Sequence, residues 1–270
     1  MKKFFALLLA MVMMLTFAAC NTSGENESTG ATNDSTGSSE PEFDPAAKSE
    51  GVMTYAEYAA AELDSEVVIE CYVQANQSWW FDSSVNHGKI TVYAQDPDGA
   101  YFLYEMTCSE EDAAKLTAGT KIKVTGYKSE WSGEVEIMDA TFEFVESQTW
   151  IAEAVDATAL LASDDLINHQ NKKVAFKGAT VVPSQDAEGN DVAFLYKWNG
   201  SGTAGDDLYF KVSIDGQTYT FCVESYLCGD GTDVYEAVEA LKVGDVIDLE
   251  GFLYWYNGAQ PHITSVTAAN

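Results

Sequence analysis

Positive charge is scarce in this chain. Its 270 residues hold 14 lysines and arginines against 43 aspartates and glutamates, a balance that repels phosphate backbones and anionic lipid headgroups. On this ground the expected partners are neutral or cationic, and nucleic acid is not expected. The spacing that zinc requires is also missing. The five cysteines form no Cys-x-x-Cys pair, and His87, His169 and His262 stand apart from one another, so each histidine reads as structural or solvated. No glycine-rich phosphate loop, serine elbow or metal triad occurs, and neither catalytic residues, a cofactor nor a metal is expected. The acidic turns at Asp96 and Asp98 and at Asp230 and Asp233 lack the spacing of a calcium loop, and turn or helix-cap service explains them. The one long apolar run, from Phe4 to Phe17, is too short to be a comfortable membrane span.

That run has another reading. Lys2 and Lys3 followed by apolar residues make 1–19 a secretory signal. It ends at Phe17, Ala18 and Ala19 before Cys20, which resembles a bacterial lipobox, although such boxes usually carry leucine where Phe17 stands. The resemblance implies a lipid on Cys20 and a mature protein held on the extracytoplasmic face of a cell membrane; an ordinary signal peptide is the alternative. Residues 20–50 then form a linker of serine, threonine, glycine, asparagine and glutamate with little to bury, hence a disordered tether. Such a coil reaches roughly 30 Å. Losing Lys2 and Lys3 with the signal leaves 12 basic residues and a formal charge of −31.

Four cysteines remain, an even number that permits disulfides in an exported protein without establishing them. Cys71 falls on the apolar side of the alternation Val67, Ile69, Cys71, Val73, as a reduced core thiol would. Cys222 and Cys228 are too far apart along an extended strand, and meet only if the chain turns after Ser225.

The chain also says one phrase twice. Gly119, Ile122, Val124, Gly126 and Tyr127 recur at a constant offset as Gly244, Ile247, Leu249, Gly251 and Phe252. In each copy a helix-like stretch ends at a glycine and a strand of period 2 follows. Around the first copy, strands are expected at 66–74, 89–95 and 101–106, then a short helix started by Ser109, then two closing strands. Around the second, strands are expected at 172–182, 208–214 and 219–224, then a helix at 233–241 and the closing pair. A capping box at Thr54 and Glu57 starts a further short helix. Two domains follow, 51–147 and 148–270.

This order resembles the OB-fold, and the whole region resembles the tandem OB-fold pairs of lipid-anchored proteins in gut Firmicutes. The fold class implied is mainly β: two five-stranded Greek-key barrels, each with a helix between strands three and four. An immunoglobulin-like sandwich is the rival, but it leaves that helix without a place. OB barrels bind ligands on the outer face of strands two and three, between loops that join strands one to two and four to five. In the first barrel that surface collects Tyr72, Trp79, Trp80, Tyr93, Tyr101 and Trp131; in the second, Tyr254, Trp255, Tyr256 and Trp198 are the counterparts. Rings of this kind stack on sugars or bases and also anchor protein interfaces. The expectation is a non-enzymatic binding protein for a neutral glycan or cell-wall oligosaccharide, with an envelope-protein adaptor as the alternative and nucleic acid a poorer third.

Overall fold

The computed structural model describes residues 43–269. The signal, Cys20 and most of the expected tether lie outside the described residues. Among those described, no helix is long and apolar enough to cross a membrane. Two sheets dominate. The first half runs α1 (Tyr55–Ala60), β1 (Glu66–Asn76), β2 (Trp80–Asp82), β3 (His87–Gln95), β4 (Ala100–Thr107), α2 (Glu110–Ala113), β5 (Lys121–Trp131) and β6 (Glu134–Phe144). The second runs β7 (Val155–Asp156), β8 (Lys173–Val182), β9 (Ser184–Gln185), β10 (Asp191–Val192), β11 (Phe194–Tyr196), β12 (Leu208–Ile214), β13 (Gln217–Val223), α3 (Asp233–Glu239), β14 (Val246–Phe252) and β15 (His262–Ala268).

Each sheet closes on itself by the same rule. The order β1-β5-β6-β4-β3 returns through a β3 to β1 pairing, with β4 and β6 parallel and the other neighbours antiparallel. In the second sheet β8-β14-β15-β13-β12 returns through β12 to β8, again with a single parallel step, β13 to β15. Closure removes the open edges that a flat sheet would expose. Each interior holds its own core. Val67, Ile69, Cys71 and Val73 point inward with Ile90, Val92, Leu103, Ile122 and Val124, while Phe176, Val181, Phe210, Phe221 and Leu249 fill the second barrel.

The repeated glycines have a steric cause. Gly119 and Gly244 turn the chain at φ of +88° and +97°, where side chains are strained. Gly126 and Gly251 lie where the neighbouring closing strand comes too near for a Cβ, against Ile137 at 2.7 Å in one barrel and Ile263 Cα at 2.8 Å in the other. Alanine at either would collide with that strand.

Two expected boundaries shift. The tether was drawn to residue 50, yet the chain is laid against the first barrel before that. Lys48 pairs with the buried Asp96, the Lys121 ammonium donates to the carbonyl of Ala47 at 2.7 Å, and Ser49 N donates to Glu70. Buried carboxylates at Glu70 and Asp96 need those partners, so the segment is ordered. Further on, the domain limit at 147 cuts a strap that belongs physically to the first barrel. Trp150 packs 5.5 Å from the ring of Tyr72, Ser147 Oγ lies 3.2 Å from its hydroxyl, and Ala152 N donates to Gln74 at 2.8 Å. Cys71, Cys108, Cys222 and Cys228 are all free thiols.

Candidate functional site

The barrels meet at a ring cluster. Tyr93 of β3 and Phe102 of β4 point out of the first barrel and are buried against Phe252, with Leu227 and Tyr254 packed beside them. Tyr93 stacks on Phe252 at 4.6 Å, and its hydroxyl lies 2.6 Å from His262 Nδ1. Burial pushes the His262 pKa down to about 3 and raises that of Tyr93, so both groups stay neutral and share one hydrogen bond between the tyrosine hydroxyl and Nδ1. The β5–β6 hairpin adds a polar seam. Its turn residues Ser132 and Gly133 take φ of +53° and +89°, as a two-residue hairpin requires. Ser132 O accepts from Asn257 N at 2.7 Å, the Glu134 carboxyl accepts from Trp255 N at 2.8 Å, and Gln170 and Asn171 donate to the carbonyls of Gly133 and Val135. Burial pushes Glu134 up to about 8.

Beside this joint the barrels leave a cleft of about 1050 Å³. The first barrel contributes Trp80, Phe102, Tyr104 and Trp131 to its wall, and the second contributes Trp198, Tyr226, Tyr254 and Tyr256. Trp131 and Tyr256, brought together by the seam, lie 5.1 Å apart. The carboxylates lining it are Glu105, Asp207 and Glu224. Glu105 takes φ of +47° where the β3–β4 register slips, a bulge that re-aims the side chain. Its carboxylate accepts from Lys89 at 2.8 Å, and the same ammonium reaches Asp82 and lies over the Trp80 ring. Glu224 accepts from Gln77 of the first barrel and from Tyr226 N and Leu227 N; burial pushes it up to about 7, with Asp207 adding to the rise. Among the described residues no group of His, Cys, Asp or Glu is placed to hold a metal ion.

The expected groove does not form as drawn. Tyr101 points into the first barrel's core and donates to Asp96, where an outward ring was expected. Tyr72 and Tyr93 do face outward from the barrel, but the Trp150 strap covers one and the second barrel covers the other. Trp79 closes a barrel end over Gly88 and donates to Cys108 O at 2.9 Å. Trp255 packs against Gly133 at the seam. Of the ten rings singled out, Trp80, Trp131, Trp198, Tyr254 and Tyr256 line the cleft. Phe102, Tyr104, Tyr226, Glu105, Asp207 and Glu224 were not singled out, and only the outward phase of Phe102 and Tyr104 on β4 could have signalled them.

No family model matches the chain, and no curated protein matches it. Solved structures with a likeness include a murine DNA-binding protein bound with double-stranded DNA, 12% identical, covering 75% of this chain and 96% of that one at a TM-score of 0.35. Another is the Ifi202 HINa domain in complex with 20-bp double-stranded DNA, at 11% identity, 76% and 100% coverage and a TM-score of 0.33. A third is a replication protein A heterotrimer bound to single-stranded DNA, at 10% identity, 78% and 51% coverage and a TM-score of 0.30. These neighbours are described by DNA and not by glycans, envelope partners or a lipid anchor, contrary to the function and partners expected from the sequence. The burial of Tyr72, Tyr93 and Tyr101 removes the glycan groove on physical grounds as well.

Proposed function

We propose that the chain is a non-enzymatic binding protein, built of two OB-fold-like barrels each with its short helix between the third and fourth strands, and that its site is the cleft between them. The ligand is a small organic molecule with flat or methyl-rich apolar surface. The observation that carries this reading is the convergence of aromatic rings from both barrels on one cleft, which has the size of small-molecule sites and a few polar groups among its rings. Trp131 and Trp198 remain 53% and 68% exposed. Such exposure of large rings inside a concavity leaves apolar surface that a ligand would cover.

Tryptophan fluorescence tests the reading directly. Titration with a panel of small aromatic compounds should quench Trp80, Trp131 and Trp198 emission saturably, and Trp131→Ala or Trp198→Ala should weaken binding by about 1–3 kcal/mol, the scale of ring stacking. Quenching unaffected by either substitution would move the site elsewhere. Saturable binding of a single-stranded oligonucleotide, lost in the same variants, would assign the cleft to base stacking instead.

A further inference from the structure

We infer that the ligand of this cleft is an organic cation, a methylated or alkylated ammonium held by ring faces and carboxylates together. The inference rests on the cleft reading above and specifies its ligand class.

Three observations converge on it. First, Glu105, Asp207 and Glu224 line the wall, and no lysine does. The chain contains no arginine, so all its basic residues are lysines. His262, at the cleft's floor, is held neutral by burial and supplies no compensating charge. Second, the rings of Trp131, Trp198, Tyr254 and Tyr256 border the same space. Ring faces carry negative potential and attract ammonium groups, most strongly where water is excluded. Third, the protein already uses this mode of recognition at the cleft's edge. Lys89 sits 5.2 Å from the Trp80 ring centroid while its ammonium bonds Glu105 at 2.8 Å and Asp82 at 2.9 Å. That ammonium satisfies Glu105. It leaves Asp207 and Glu224 without a cation, since neither forms an ion pair among the described residues. An incoming ammonium would find two carboxylates from the second barrel and rings from both.

Neutral solutes of the same shape gain the contact area without the charge. Choline and its neutral carbon isostere 3,3-dimethylbutan-1-ol therefore serve as the probe pair, titrated calorimetrically against the intact protein. Choline should bind at least about tenfold more tightly, the preference should shrink as salt is raised, and Glu224→Gln with Asp207→Asn should abolish it. These substitutions keep hydrogen-bonding side chains of nearly the same size, and circular dichroism checks that the variants are folded. Equal binding of the two probes, weakened alike by Trp131→Ala, would overturn the cation inference and leave the cleft reading standing. Binding of neither probe would also overturn it, while the aromatic panel decides the cleft reading independently.

Discussion

The hydroxyl of Tyr93 lies 2.6 Å from Nδ1 of His262, joining the second strand of one barrel to the last strand of the other in a contact closed to water. Both groups are desolvated, so each needs the other. Tyr93→Phe leaves Nδ1 of the buried imidazole without its hydrogen-bond partner while keeping the stack on Phe252, and should cost about 1–3 kcal/mol. His262→Ala also removes the ring on which Tyr254 stacks at 4.2 Å, and should cost more. Urea denaturation of both variants checks the order. A Tyr93→Phe protein as stable as the parent would mean that the joint holds by apolar contact alone.

Buried titratable groups at the same joint set an unusual pH profile. His262, held near 3, binds no proton folded but binds one unfolded below 6.5, so its contribution is lost as pH falls from 6.5 toward 3. Glu134, raised to about 8, and Glu136 and Glu224, raised to about 7, keep protons folded that the unfolded chain releases near 4.5. Their contribution is greatest below 4.5 and drains away as pH rises to 7–8. Asp82, Asp112 and Asp186, lowered by hydrogen bonds, favour the folded state only above about 4. Three carboxyls outweigh one histidine where the windows overlap, and the acidic surface repels itself less at low pH. Thermal unfolding should therefore peak near pH 5 and decline toward pH 8. Glu134→Gln should stabilise on the order of 2 kcal/mol at pH 8 and hardly at all at pH 4.5. A melting temperature that climbs from pH 5 to 8 contradicts the assignment.

What the sequence made legible was the barrel, and what it hid was the covering of the barrel. Alternation along Val67, Ile69, Cys71 and Val73 marks the inner face because neighbouring residues decide it. The repeated glycines mark the turns and close approaches for the same local reason. Tyr72 and Tyr93 also alternate outward as read, yet their exposure is decided by Trp150 and Phe252, far along the chain. Nothing local reports that. Tyr101 fails differently: Asp96, five residues away, offers its hydroxyl a buried acceptor, and Tyr55 and Tyr58 offer it rings. Aromatic residues satisfy either side of a sheet, so phase must come from their aliphatic neighbours, and Leu103 had it right. Glu105 was hidden because a bulge is invisible to period-2 counting.

The strap over Tyr72 gives a test of where the first barrel ends. Trp150 covers a tyrosine that is otherwise on the outer face, and Ala152 N satisfies the buried Gln74 amide oxygen. A fragment of residues 43–153 should thus be more stable than one of residues 43–146 by roughly 1–3 kcal/mol, the worth of one buried aromatic side chain and its bonds. Both should fall below the intact protein, since Tyr93 and Phe102 lose their cover. In the intact chain Trp150→Ala should lower the unfolding temperature by several degrees. Equal melting of the two fragments would place the strap outside the first barrel's cooperative unit.

Cation binding in the cleft should be linked to a proton on Glu224. The carboxyl sits near 7 because burial disfavours its charge, with Asp207 adding to the rise, so at pH 6 most molecules carry it neutral. The groups facing it are Asp207, the neutral His262, the thiols of Cys222 and Cys228, and the hydroxyls of Tyr93, Tyr209 and Tyr254; burial raises the pKa of these thiols and hydroxyls, so none of them ionises between pH 6 and 8. An ammonium beside Glu224 favours the ionised form and expels the proton. Affinity for choline should accordingly rise about tenfold from pH 6 to pH 8, the change one group of this pKa permits. Calorimetry in buffers of different ionisation enthalpy should count close to one proton released at pH 6 and almost none at pH 8. Glu224→Gln should flatten the profile at its low-affinity end, whereas Trp131→Ala should lower affinity evenly across the range. A profile that stays steep in Glu224→Gln would hand the proton to another group and remove Glu224 from the site.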